Sequence, residues 1–171
     1  KDRLFVASLA NGFACLDISN PKVPKEMWKS SPGALTGVPV VSGDLVVVSA
    51  GSPAQLVCLD AQTGVVLWGN IPPYWPRGLP PRTPVNGAAS STPRILPTVT
   101  TGPLVVSGHL WVGDTQGVTS YDIVTGLPRL SIACGKVTAP LVAGGTTLAC
   151  VTANREIVLI DTEAGKEIAR V

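Results

Sequence analysis

Residues 56–68 read LVCLDAQTGVVLW, and the pattern returns as VTSYDIVTGLPRL over 118–130 and IVLIDTEAGKEIA over 157–169. Each copy places an Asp and, four residues later, a Gly: Asp60/Gly64, Asp122/Gly126 and Asp161/Gly165. A looser copy, FACLDISNPKVPKEMW, spans 13–28; Asp17 matches, and its turn is three residues longer and carries Pro21 and Pro24. An Asp side chain accepts hydrogen bonds from backbone N–H groups two residues on, and Gly supplies the positive φ that lets the chain reverse. Asp17, Asp60, Asp122 and Asp161 therefore read as structural turn residues, one per repeat, with Thr63 and Thr125 completing two of the turns.

Working outward, a second element precedes each strong copy. It reads VPVVSGDLVVVSAG from Val38, GPLVVSGHLWVGDTQG from Gly102 and APLVAGGTTLACVTAN from Ala139. Each has a Pro, a short apolar run, a Gly turn and a second apolar run. From that Pro to the repeat Asp the separations are 21, 19 and 21 residues. Two features holding register in this way mark a true internal repeat. Each unit predicts four strands, and a four-stranded unit of roughly 40 residues is a propeller blade. The repeat Asp residues are spaced by 43, 62 and 39. The blades fall at about 1–30, 35–68, 98–134 and 137–171, with an insertion over 69–97. The first unit lacks its innermost strand, because residues 3–8 already read as a second strand. The fold expectation is thus an all-β partial β-propeller of about four four-stranded blades, about fifteen strands in all. An open stack of this kind leaves two sheet faces uncovered, which points to a piece of a longer ring, to pairing with another copy or half, or to closure as a four-bladed ring.

The best repeat resembles that of the pyrroloquinoline-quinone-type, or quinoprotein-like, β-propellers, whose segment runs Ala-x-Asp-x-x-Thr-Gly-x-x-x-Trp. Asp60, Thr63, Gly64 and Trp68 fit it. Asp122, Thr125 and Gly126 fit with Leu130 in place of Trp, and Asp161 and Gly165 fit with Ala164 and Ala169 as departures. Asp17 and Trp28 fit if the longer turn is allowed. The resemblance implies a seven- or eight-bladed ring, a Trp that docks between blades, and an extracytoplasmic location. It also names two functions. One is a non-catalytic scaffold for protein–protein interaction within a larger protein or assembly. The other is a fragment of a quinone-dependent alcohol or sugar dehydrogenase, a class that carries an adjacent Cys-Cys pair near the quinone and a metal site of Asp, Glu and Asn. One fold hosts many functions, so the residues must decide.

The chain of 171 residues is 45% hydrophobic and 14% charged, which suits a packed globular domain. A net charge of +2 makes no case for nucleic acid, and no apolar run reaches the length of a membrane-spanning helix. The cysteines, Cys15, Cys58, Cys134 and Cys150, include no Cys-x-x-Cys pair and no adjacent pair, which removes the zinc reading and leaves small buried residues as the expectation. His109, the single His, sits at a hairpin. No catalytic, cofactor-binding or metal-ligating set is predicted, and no cofactor; the scaffold reading is preferred over the enzyme. The expected partners are another protein or the remaining blades of the same propeller.

Eight of the 29 residues from 69 to 97 are Pro, and the segment includes PPYWPRGLPP. Pro lacks the ladder N–H, so this cannot be a central strand. No Asp or Glu occurs from Ala61 to Gly113, whereas Arg77, Arg82 and Arg94 lie in the insertion. A basic, aromatic, Pro-rich loop suits partner contact through Tyr74, Trp75, Arg77 and Arg82, since such side chains dominate interface energetics. The same loop would equally serve to cover its own blade edge.

Overall fold

The computed structural model describes residues 2–8, 12–30, 34–35, 37–69 and 98–171. The described residues form fifteen strands and no helix. Blade 1 contains β1 (Arg3–Ser8), β2 (Gly12–Asp17) and β3 (Lys25–Ser30). Blade 2 contains β4 (Val40–Ser42), β5 (Leu45–Ala50), β6 (Gln55–Asp60) and β7 (Val66–Gly69), so its last strand runs one residue into the segment read as insertion. Blade 3 contains β8 (Leu104–Val106), β9 (His109–Gly113), β10 (Gly117–Tyr121) and β11 (Pro128–Ala133). Blade 4 contains β12 (Val142–Gly144), β13 (Thr147–Val151), β14 (Ile157–Asp161) and β15 (Lys166–Arg170). Every sheet is an antiparallel meander in chain order, with three strands in blade 1 and four in each of the others.

The strands are short and rich in Val and Leu, and their period of two sends alternate residues to opposite faces. In blade 2, Val46, Val48, Val57 and Leu59 pack against Phe13 of blade 1. Their neighbours Val47, Leu56 and Cys58 pack against Leu110, Val112 and Tyr121 of blade 3. On the far side of blade 3, Trp111 and Val118 meet Leu148, Cys150, Val158 and Ile160 of blade 4. Central blades are thus apolar on both faces, which is why residues 45–50 and 56–59 read as near-continuous apolar runs rather than clean alternation. The terminal blades bury one face each. The other keeps Leu4 (46% exposed) and Val6 (37%) on blade 1 and Ile157 (47%) on blade 4 in solvent. The two uncovered sheet faces expected from the repeat count are present.

An additional register feature ties the units together. Isolated bridges join Leu35 to Ala50, Val99 to Asp114 and Val137 to Thr152. Each lies fifteen residues ahead of its partner, so each connector lays one extended residue across the outgoing end of β5, β9 or β13. Val99 N–H also donates to the Ala54 carbonyl at 3.0 Å, and Val137 N–H to the Asp114 carbonyl at 3.1 Å. The connector therefore stitches a blade to the one before it as well as to its own.

Candidate functional site: the turn rim and the seams between blades

Four Asp side chains organise one rim. Asp60 Oδ1 accepts from Gln62 N (2.9 Å), Thr63 N (2.8 Å) and Thr63 Oγ1 (2.9 Å). Asp122 Oδ1 accepts from Val124 N (3.1 Å), Thr125 N (2.9 Å) and Thr125 Oγ1 (3.0 Å). Asp161 Oδ1 accepts from Glu163 N and Ala164 N, both at 2.9 Å, and Asp17 Oδ1 from Ser19 N at 2.9 Å. Three of the turns then close as the Gly N–H donates to the Asp carbonyl: Gly64 to Asp60 and Gly126 to Asp122 at 2.8 Å, Gly165 to Asp161 at 2.9 Å. The Thr125 backbone bond, with Arg129 Nη2 at 2.7 Å from Oδ2, holds the Asp122 carboxyl down at about 2. Backbone N–H groups likewise lower Asp161 and Asp17. Asp17, Asp122 and Asp161 are thus held ionised by their own turns, the opposite of what a general acid near neutral pH requires.

The seams depend on the tryptophans. Trp68 lies half-buried between blades 2 and 3, and its Nε1 donates to the Ile123 carbonyl, one residue past Asp122, at 3.0 Å. Trp28 repeats this one blade earlier, donating to the Ala61 carbonyl, one past Asp60, at 3.1 Å. The indole lies flat on the Gly of the neighbouring turn. A Cβ on Gly126 would come within 2.6 Å of the Trp68 ring, and one on Gly64 within 2.7 Å of the Trp28 ring. The glycines therefore serve twice, as positive-φ turn residues (φ 68° at Gly126 and 70° at Gly64) and as the floor on which the preceding blade's indole rests.

The third seam differs. Leu130 takes the Trp position and touches Gly165, yet it remains 39% exposed and has no donor for the Thr162 carbonyl. An open cleft of about 630 Å³ lies here, lined by Ser107, His109, Ser120, Arg129, Leu130, Thr162 and Glu163. A second cleft of about 460 Å³ lies between blades 1 and 2, beside Arg3, Phe5, Asp44 and Gln62. Arg3 Nη1 donates to the Ala61 carbonyl at 3.0 Å there, so that carbonyl receives both Arg3 and Trp28.

The structure brings Asp17, Asp60, Thr63, Gly64, Trp68, Asp122, Thr125, Gly126, Asp161 and Gly165 to equivalent positions, one set per turn, rather than into one constellation. Tyr74, Trp75, Arg77 and Arg82 lie outside the described residues. Sequence reasoning missed Asp114. It is 2% exposed; Oδ1 accepts from Gln116 N (2.7 Å) and Gly117 N (2.9 Å), and Oδ2 from Thr119 Oγ1 (2.9 Å). The signal was the Asp-Thr-Gln-Gly spacing at 114–117, a second Asx turn outside the main repeat. All four cysteines are buried and free.

Residues 1–70 match the family described as outer membrane protein assembly factor BamB. Over that stretch the blades are similar to the repeats of that family. Among solved structures, BamB from Moraxella catarrhalis aligns over 100% of this chain and 49% of its own, at 18% identity and a TM-score of 0.65. The computationally designed Ika8 protein aligns over 100% of this chain and 46% of its own, at 18% identity and a TM-score of 0.69. A europium-containing methanol dehydrogenase aligns over 84% and 26%, at 14% identity and a TM-score of 0.58. The chain thus spans about half the length of the first two. No curated protein matches it. At these identities the structural likenesses establish the β-propeller fold and nothing about chemistry.

Proposed function

We propose that the chain is a non-catalytic propeller scaffold serving protein–protein interaction within a larger protein or assembly. The observation that carries this reading is the match of residues 1–70 to an assembly-factor family. The rim geometry supports it, because the repeated carboxylates are engaged by their own turns. The Pro-rich segment is the proposed contact, through Tyr74, Trp75, Arg77 and Arg82. It leaves from Gly69 and re-enters at Val99, which bonds to Ala54 in the turn between β5 and β6. It is therefore attached at the end of the blades opposite the Asp turns. No Asp or Glu occurs in the sequence from Ala61 to Gly113 to balance its arginines, so an acidic partner surface suits it. Replacing 74–82 by a Gly-Ser linker should leave melting unchanged and abolish capture of the partner. Loss of folding, with no partner recovered by the intact chain, would overturn the proposal.

The dehydrogenase reading meets a chemical obstacle. The chain has no adjacent cysteines, and among the described residues no three His, Cys, Asp or Glu side chains converge as a metal site. The residues present do not fit the quinone with its metal. Adding the quinone with calcium should give neither a spectral change nor dye reduction; either signal would restore the enzyme reading.

A further inference from the structure

The third seam contains a pair of thiols that the repeat does not explain. Cys150 lies on β13, three residues after Thr147, which pairs with Asp161. The matching residue is Val48 in blade 2, three after Leu45, which pairs with Asp60. In blade 3 it is Val112, by the register of β9 with β10. A thiol replaces a valine only in blade 4. It meets a second thiol, Cys134, which follows β11 at the outgoing end of blade 3. The two Sγ atoms are 3.8 Å apart, sixteen residues apart in sequence and on different blades. Both belong to the apolar cluster that includes Trp111, Val118, Leu148 and Ile160, and their exposures are 5% and 1%. Cys15 and Cys58 differ in this respect: they hold the equivalent position two residues before Asp17 and Asp60, in successive blades.

We propose that Cys134 and Cys150 are a cross-linking site that joins blade 3 to blade 4 through a reversible disulfide. These two sulfurs are already in contact across the seam, as a bond between them requires, and among the described residues no other pair of cysteines is in contact. The oxidant is a small-molecule disulfide such as oxidised glutathione. The Cys134 thiolate attacks one sulfur of that disulfide, forms a mixed disulfide and expels one thiolate. The Cys150 thiolate then attacks Cys134 Sγ and expels the second. The protons lost by the two cysteines are taken up by the two leaving thiolates, so two protein thiols and one disulfide become one protein disulfide and two small thiols. Cys134 is the entry point for two reasons. It is the more exposed of the pair, and burial raises Cys150 further, to about 12. The Arg170 guanidinium near both sulfurs favours their thiolates, partly offset by Glu167. The staple would fall at the seam that lacks its tryptophan.

The test incubates the full chain with oxidised glutathione, alkylates free thiols and maps tryptic peptides without reduction. The expected product joins Leu130–Lys136 to Val137–Arg155, with Cys15 and Cys58 alkylated. A loop of this size should raise the melting temperature by about 6–12 °C, reversed by dithiothreitol. Cys150→Val, which restores the residue of the other blades and keeps the core packed, should fold, give no cross-link and show no shift. Four alkylated cysteines after oxidation, a glutathione adduct that persists on Cys134, or a bridge to Cys15 or Cys58 would each overturn the proposal.

Discussion

A methyl group added at Gly126 measures what a blade gains by docking its tryptophan. The reference is Gly43, which has φ 58° and nothing within 4 Å of an added Cβ. Gly43→Ala carries only the left-handed penalty of a non-Gly residue, about 1 kcal/mol after the lower entropy of its unfolded chain is set against it. Gly126→Ala carries the same penalty at φ 68°, and its Cβ would lie 2.6 Å from the Trp68 ring, about 1 Å inside ordinary contact. Relief requires the indole to lift, which strains the packing by about 1–3 kcal/mol. It also weakens the 3.0 Å bond from Nε1 to the Ile123 carbonyl, worth about 1 kcal/mol. The expected totals are about 1 kcal/mol for Gly43→Ala and about 3–5 kcal/mol for Gly126→Ala. For a chain of this length those are melting shifts of about 2–4 °C and about 6–20 °C. Calorimetry of both variants, with tryptophan emission of Gly126→Ala to follow the indole's displacement, provides the measurement. Equal shifts in the two variants would show that the glycine serves the turn alone and that the seam does not depend on this contact.

Three further outcomes follow from the same geometry. Trp68→Ala should destabilise by about 3–5 kcal/mol, and Leu130→Ala by about 2 kcal/mol, in parallel urea titrations, because only the indole adds a hydrogen bond to its packing. Leu130→Trp should raise the melting temperature by a few degrees, since the indole would fill the third seam and donate to the Thr162 carbonyl as its equivalents do to Ile123 and Ala61; an unchanged or lower value would show that blades 3 and 4 are spaced differently. Asp122 titrates at about 2 in the fold, below the ordinary value of about 3.9, so its contribution is complete above about pH 4 and is lost as pH falls toward 2. The stability gap between the wild type and Asp122→Asn should therefore narrow across that window in acid denaturation, and a gap independent of pH would refute the assignment.

What the sequence revealed was local. Asp and Gly four residues apart make a turn wherever they occur, so the turns at 60–64, 122–126 and 161–165 were legible from spacing alone, and the blade count followed. The contacts made across a seam were not. Nothing near Gly126 in the sequence indicates that Trp68 lies on it, since the partners belong to different blades. Cys134 and Cys150 looked like isolated small residues for the same reason. The bridging residues Leu35, Val99 and Val137 escaped notice because a single extended residue has no periodicity, although their constant offset of fifteen from Ala50, Asp114 and Thr152 was there to be measured.

The three seams show how a repeat fold distributes its stability. A blade in such a stack contacts only its neighbours, so stability is close to a sum of blade terms and seam terms. The first seam has an arginine and three aromatic rings, one of them the indole: Phe5, Phe13 and Trp28 lie with centroids 5.6–6.2 Å apart. The second has an indole over Gly126 and a core built on Tyr121 and Leu110. The third gives up the indole for Leu130, and its compensation lies deeper, in Trp111 and the paired thiols. A seam that loses its rim contact but keeps its apolar core can open at the rim without separating at its centre, because the apolar area removed from water is concentrated at β9, β10, β13 and β14. The cleft beside His109 and Arg129 lies at the rim end of this seam, and the contact of Cys134 with Cys150 lies at its other end. The fold thus tolerates variation at the rim, turn by turn, as long as each blade keeps the alternating face that its neighbour covers.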